Sequence, residues 1–455
     1  MSKAEQIKRA FDKHKIEKVK IGGFDVDGVL RGKYVSREKC LSALESGIGF
    51  CDVIFGWDIA DVLYDRDAVT GWHTGFPDGI VRIDPSTFCV LPWEPNTAFM
   101  LLDFYRNDAP LGVSPRGVLR RVIERARTMG YSILAGIEFE YWFFREDTHS
   151  VRAKSFSGLT PLSPGMFGYS VLRASVDSEL SHAILDGAKS LGIEIEGHHT
   201  ETGPGVYESA IHADGPLEAA DKAALFKTAI KVIAQRRGLI ATFMAKWNPQ
   251  LPGSSGHVHQ SLGDPKGTRN LFFKREKSAA PEQLMSKLMK HYIAGQLELM
   301  REFAVMFEPT INSYKRTAPG TRSWAPANVT WGLDNRTTAI RAIVSGPKST
   351  RVEHRLAGAD ANPYLSLAAS VASGLHGVET ELELPAATVS AYTSDAPALP
   401  RDLKEANALF KASQAARSSF GDEFVDFFSM TRDWETRQFE RAVTDWELQR
   451  YFESI

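Results

Sequence analysis

The segment YSILAGIEFEYWFF, starting at Tyr131, most constrains how this chain can fold. It is rich in aromatic and β-branched residues and reads as a strand. Alternate side chains of a strand point to one face, so Glu138 and Glu140 stand side by side. A strand this apolar belongs in a protein interior, and unpaired carboxylates there are costly. Either this pair lies on the wet face of an amphipathic strand, or something positive meets it.

Similar residues recur downstream. Glu201 and Glu208 bracket a Gly-Pro-Gly bend, and His257 and His259 share one face of the strand-like SGHVHQSL. Glu353 sits in another β-like stretch, RVEHR. Taken singly, each pair could be a solvated strand face. Several carboxylates and an imidazole on rigid elements are also what two divalent ions sharing phosphate oxygens require. The C-terminal half supplies a complementary set: Arg316, Arg322, Arg336, Arg341, Lys348, Arg351 and Arg355. Guanidinium forks suit carboxylate and phosphate, although surface ion pairs would use the same residues. Together, the two groups suggest a nucleoside triphosphate and a carboxylate substrate joined by metal-assisted phosphoryl transfer. No GxxxxGK[ST] occurs, and no GxGxxG follows an early strand, which disfavours P-loop and dinucleotide-binding folds.

Bulk properties exclude other classes. The chain has 455 residues, with 54 basic against 56 acidic and a formal net charge of -2. Strong non-specific attraction to nucleic acid or an anionic membrane is not expected. No run approaches the roughly 18 apolar residues of a membrane span, and the start, MSKAEQIKRAFDKHK, lacks a secretory apolar run. Cys40, Cys51 and Cys89 are too few and too irregular for a disulfide scaffold or thiolate metal site. A reducing, cytoplasmic setting is expected.

The pattern predicts strand, turn and strand over 17–36 around an Asp-Gly turn, a helix over 37–48 and a strand at 51–55. Pro110, Gly112 and Pro115 punctuate the chain after about 110 residues. A helix then follows Ser114 and stops at Gly130. Residues 145–170 read as an excursion over a site, and long helices are expected over 174–191, 215–237 and 280–303. Strand-like HHTETGPGVYESAI, GLIATFMAKW and SGHVHQSL lie between them. The expected fold is α+β, an antiparallel or mixed sheet with helices outside.

In order along the chain stand GIEFEY (136–141), TETGPGVYE (200–208), ATFMAKW (241–247) and GSSGHVHQSL (253–262). NSYKR (312–316), NRTTAIR (335–341), RVEHR (351–355), ANPYL (361–365) and VTDWE (443–447) follow. This ordered set resembles glutamine synthetase and its γ-glutamylamide synthetase relatives over nearly the whole chain. The resemblance implies an N-terminal β-grasp domain over 1–110 and a catalytic domain over 111–455 with a curved, mainly antiparallel sheet backed by helices. It also implies active sites at subunit interfaces of stacked rings, often dodecamers. The implied cofactors are ATP and two to three Mg²⁺ or Mn²⁺ ions.

By the same resemblance, Glu140, Glu201 and Glu208 match ligands of one ion, and Glu138, His257 and Glu353 those of another. Arg341, Arg336 and Arg351 match residues facing the phosphates and transition state. Glu196, His259, Ser261 and Lys348 match nucleotide-side positions, and Gly253, Arg316 and Arg355 hold the amino-acid substrate. The implied reaction makes γ-glutamyl phosphate from glutamate and ATP, and an amine then displaces phosphate.

The chain departs from ammonia-using members in one segment. There a Pro-Gly pair is followed by an aromatic residue, Glu, Ala and Pro, and that glutamate serves ammonium. Here PGTRSWAP, from Pro319 to Pro326, puts Trp324 before Ala325, with Ser323 adjacent. The Asp-Gly-Ser-Ser segment of those members also has no clean match; FGWDIAD (55–61) offers Asp58 or Asp61. Ammonium wants compact carboxylates, whereas an organic amine brings apolar surface, which Trp324, Trp57 and the surroundings of Tyr64 could meet. Glutamate and a small organic amine are therefore the expected substrates. The alternatives are a true glutamine synthetase, a ligase for a polyamine or ethanolamine, or a non-catalytic ring-forming homologue. The last should have lost its metal carboxylates, and these are present. The region near LELPAATVS also lacks the tyrosine motif nucleotidylated in some bacterial members.

Overall fold

A computed structural model of the chain describes residues 2–66, 69–276, 280–318, 324–391 and 395–455. Among them lie two sheets. The first comprises β1 (Lys18–Phe24), β2 (Leu30–Val35), β3 (Ile48–Cys51), β4 (Asp78–Ile83), β5 (Cys89–Val90), β6 (Thr97–Arg106) and β7 (Ala109–Pro110). Its order is β2-β1-β6-β4-β3, with β5 and β7 also on β6. β1 runs parallel to β6 and the hairpin β1–β2 turns at Gly28, where φ is +77°. With the helix Arg37–Ser46 between β2 and β3, this is the β-grasp arrangement.

The second sheet comprises β8 (Ser132–Phe144), β9 (Ile195–Thr200), β10 (Val206–Ile211), β11 (Ile240–Thr242), β12 (Gly256–Gly263), β13 (Trp331–Leu333), β14 (Ile340–Ile343) and β15 (Arg351–His354). It is ordered β13-β14-β15-β12-β8-β10-β9, with β11 on β8, and all its pairs except β13–β14 are antiparallel. The alternation read from sequence is realised in β8. Phe139 and Tyr141 are buried and meet Phe226 of the helix Pro216–Gln235 at centroid distances of 6.3 and 5.8 Å. That helix covers one face, so the carboxylates of Glu138 and Glu140 emerge on the other.

Some elements differ from the pattern. Residues 52–55 form a 3-10 turn rather than a strand, because β3 pairs β4 and ends at Cys51. The expected helix 174–191 is split at Asp177 into Val171–Val176 and Ser178–Ser190. The one over 280–303 becomes a 3-10 turn at Pro281–Leu284 followed by Lys287–Glu298 and Met300–Phe307. GLIATFMAKW keeps only three strand residues, since Ala245 and Lys246 turn to meet the loop before β12.

Two contacts hold the layers together. Helices Lys287–Glu298 and Pro363–Glu379 touch through glycine: a Cβ on Gly377 would lie 2.1 Å from the His291 carbonyl oxygen, so no larger residue fits. The second contact is polar. Buried Arg116 donates to both oxygens of Asp221 at 2.8 Å, to Asp103 of β6 at 2.6 Å and to Asp84 at 2.8 Å. Tyr364 adds a 2.6 Å bond to Asp221. One guanidinium thus joins the first sheet to two helices of the second layer. Removing it strands carboxylates in a dry setting, which costs about 3–5 kcal/mol. We expect Arg116→Met to lower unfolding stability by about that amount in urea titrations, with Tyr364→Phe costing about 1 kcal/mol.

Candidate active site

Strand register assembles the site. Directly opposed residues in an antiparallel pair share a face. His257 opposes Glu138, and His259 opposes Glu353, which in turn opposes Arg341. On the other side of β8, Glu208 opposes Glu140 and His199 opposes Glu208. One uninterrupted sheet face therefore carries the acids, imidazoles and guanidiniums that the sequence scatters over more than 150 positions.

They form two groups. Glu138, His259 and Glu353 bring ligand atoms within 4.8 Å of one another, as do His199, Glu201 and Glu208. In the first group, His257 Nδ1 lies 2.8 Å from Glu138 and 3.4 Å from Glu353. Arg341 donates to Glu353 at 2.8 Å, and Arg355 also bonds it. In the second, His199 lies 3.7 Å from Glu201 and 3.6 Å from Glu208. Glu140 stands beside them, accepting the Ser255 amide at 2.6 Å.

The two halves are electrostatically unequal. Burial raises the pKa of Glu138 and Glu353, but the neighbouring His259 and His257, joined at Glu353 by Arg355, together outweigh it. Glu138 falls well below the usual carboxylate range and Glu353 to about 2. Burial and the Arg355 charge push His257 down to about 4. Around Glu140 the balance reverses: burial and the charge of Glu208 raise it to about 7, and burial raises Glu208 too. His199 is raised because its bond to Glu208 outweighs burial. This half is under-compensated, and its oxygen-rich donors with one imidazole fit a hard divalent cation.

Two cavities flank this face. One of about 320 Å³ is lined by Glu138, Glu196, His259, Ser261, Lys348 and Arg351, which gathers the expected nucleotide-side residues. Arg351 donates to His259 Nδ1 at 3.1 Å, and His259 Nε2 is buried without a hydrogen-bond partner. The other, of about 360 Å³, is lined by Glu140, Glu201, Gly253, Arg316, Trp324 and Arg355. Gly253 is needed there: a Cβ would lie 2.6 Å from the Ala245 carbonyl and 2.8 Å from the Arg316 side chain. Arg316 is buried and donates to the carbonyls of Leu356 and Arg355 at 2.9 Å. Trp324 stands 65% exposed at the rim, its carbonyl 3.4 Å from Arg355.

The profile of the glutamine synthetase catalytic domain matches residues 112–451. The chain belongs to the glutamine synthetase family. It is 47% identical over 96% of its length to type-1 glutamine synthetase 2 of Dictyostelium discoideum, covering 84% of that protein. It is 40% identical over 99% of its length to the glutamate–isopropylamine ligase of a Pseudomonas species, covering 98% of it. The solved GmaS/ADP complex in conformation 1 superposes with a TM-score of 0.84 at 25% identity, covering 98% of both chains.

Not every expected residue of this family member reaches the cavities. Arg336 is exposed on the turn before β14 and lines neither. Asp58 caps its own turn and accepts Trp434 Nε1 at 2.8 Å, while Tyr64 packs edge-on against Trp434. Trp57 lies under the Arg31 guanidinium. Asp58 and Tyr64 therefore meet the helix Asp422–Arg441, and none of the three lines this chain's cavity. Arg322 and Ser323 fall outside the described residues. Conversely, His199 was missed, although its spacing of two from Glu201 was a readable signal. Tyr169 was missed as well: its ring stacks on His199 at 4.3 Å, held by backbone at φ +56° in the excursion 145–170.

The raised Glu140 gives a pH signature. A carboxyl that titrates near 7 when folded and about 4.5 unfolded binds more protons in the folded state between those values, so stability falls as pH rises through that window. The effect is on the order of 3 kcal/mol. In chelator, the unfolding midpoint should drop from pH 5 to pH 7.5 more steeply for the wild type than for Glu140→Gln. Excess Mg²⁺ or Mn²⁺ should flatten the wild-type profile.

Proposed function

We propose that this protein is a glutamate–amine ligase that couples ATP cleavage to formation of a γ-glutamylamide. The observation that carries this reading is one charged sheet face with a cavity on either side. The nucleotide occupies the cavity of His259, Ser261, Lys348 and Arg351, with Glu196 at its edge. Glutamate occupies that of Gly253, Arg316 and Arg355. Glu138, Glu140, Glu201, Glu208, His257 and Glu353 would hold divalent ions, two to three Mg²⁺ or Mn²⁺, which when bound would supply charge neutralisation for phosphate oxygens. His199 belongs with the second set.

The glutamate γ-carboxylate attacks the terminal phosphorus of ATP and releases ADP. Arg341 and Arg351 stabilise charge on the transferring group, with Arg336 closing from its exposed turn. The amine nitrogen then attacks the acyl carbon, the C–O bond to phosphate breaks, and a carboxylate, assigned to Glu201, takes the proton. Exclusion of water keeps the acyl phosphate for the amine. Trp324, in place of the acid that serves ammonium, favours an organic amine. The isopropylamine-ligase relative supports this choice; the more similar glutamine synthetase relative supports ammonia as the second reading.

The protein divides into an N-terminal domain over 1–110 and a catalytic domain over 111–455, and it works in the cytoplasm as stacked rings, a dodecamer. Support for assembly comes from Trp446 and Phe452 at the C-terminus, 59% and 80% exposed. Across a ring interface, the loop carrying Asp58 supplies an acid to a neighbouring copy's cavity.

An amine panel scored by phosphate release and product mass tests the reading. Organic amines should exceed ammonium in kcat/KM, and ammonium in first place would favour the second reading. Trp324→Ala should shift the ratio of organic amine to ammonium by about tenfold or more, the scale of lost apolar pocket contacts. The KM for glutamate should stay within about twofold, as for a residue outside the glutamate contacts.

A further inference from the structure

The 360 Å³ cavity has a second wall that the reaction above does not use. Beside the acids, on the same face of the sheet, stands Val206 of β10, two residues from Glu208; Leu251 and Met166 line the cavity with it, and Trp324 stands at the rim. This wall is backed by a small apolar cluster separate from the main core. Trp142, Phe144 and Val206 are buried there, with Leu159, Trp247 and Leu251 packed against them. Trp247 meets Phe144 at 4.8 Å and Trp142 at 5.5 Å, both edge-on. Trp142 Nε1 is anchored on Ser254 at 2.7 Å.

The loop that presents Leu251 is fixed at both ends. The Asn312 side-chain amide accepts the Lys246 N–H and donates to the Lys246 carbonyl, each at 2.8 Å. The Ser254 amide closes the base on the Ala245 carbonyl at 2.8 Å. Lys246 Nζ reaches across to the Leu251 carbonyl, and Pro249 and Pro252 stiffen the span. An apolar surface held this rigidly, next to the place where the nitrogen must attack, is preorganised for a ligand group.

Charge narrows what that group is. Among the described residues, the carboxylates lining this cavity are Glu140 and Glu201, on the sheet side, while Lys246, Arg316 and Arg355 are its cations. A second ammonium on the tail would meet Lys246 with no acid of this chain beside it, and the acid proposed to come from a neighbouring copy would serve the attacking nitrogen. The cavity of about 360 Å³ also takes glutamate in the reading above, which leaves room for only a short tail.

We propose that the Val206–Leu251–Met166 wall is a tail subsite that takes the uncharged, compact hydrocarbon part of a monoamine and disfavours diamines. This inference rests on the organic-amine reading above. The experiment compares kcat/KM for ammonium, ethylamine, n-butylamine and 1,4-diaminobutane in wild type, Leu251→Ala and Leu251→Phe, with thermal midpoints as a folding check. Leu251→Val replaces any variant that fails to fold.

The wild type should favour n-butylamine over 1,4-diaminobutane by about tenfold or more, and Leu251→Ala should shift preference toward the longer monoamine by a similar factor. Leu251→Phe should shift it the other way, with ammonium turnover and the glutamate KM within about twofold. Equal use of the diamine, or variants that scale every amine by one factor, would overturn the tail subsite and leave the ligase reading intact. Ammonium as the wild type's best substrate would overturn both.

Discussion

The structure depends on the cost of placing like charges on one dry surface. Glu138, Glu140, Glu208 and Glu353 share a sheet face whose other side is sealed by aromatic packing. Each carboxylate must be compensated within a few ångströms or be protonated. Toward β15 the protein supplies compensation through Arg341 and Arg355, with the imidazoles of His257 and His259 beside Glu138. Toward β9 it does not, and Glu140 rises to about 7 as a result. The site is thus half neutralised by side chains and half prepared for cations that come from outside.

Such a face works only if the strands cannot shift, because a slip of one residue would turn every acid inward. The scaffold prevents this by packing rather than by the site's own contacts. Phe139, Tyr141 and Phe226 lock β8 on its helix, and the glycine contact brings two further helices to touching distance. Arg116 extends this rigidity to the first sheet. The loop bearing Leu251 is clamped by Asn312, only four residues from Arg316, so the walls proposed for glutamate and amine are tied to one segment.

Much of this was legible in the residues. Spacing of two in an apolar strand identified Glu138 with Glu140 and His257 with His259, and the ordered motifs carried the family. The residues expected on the nucleotide side, Glu196, His259, Ser261, Lys348 and Arg351, line one cavity. What the pattern missed depends on contacts between distant elements. Asp58 and Tyr64, expected near the amine, lie away from this chain's own cavity, where Trp434, about 370 positions later, contacts both. Helix breaks at Asp177 and Leu299 follow from how helices meet their neighbours, which periodicity within one segment does not report.

The sequence by itself determined the chemistry: which strands carry acids, how many guanidiniums accompany them, and that a tryptophan stands before Ala325 where ammonia-using members have a carboxylate. Those facts are local, written in the alternation of single segments. Only the tertiary structure decided which acid is compensated and which is not, that His199 joins Glu201 and Glu208, and that a rigid apolar wall adjoins the acids. These properties depend on distance and dielectric between segments far apart in the chain, and the fold alone sets both.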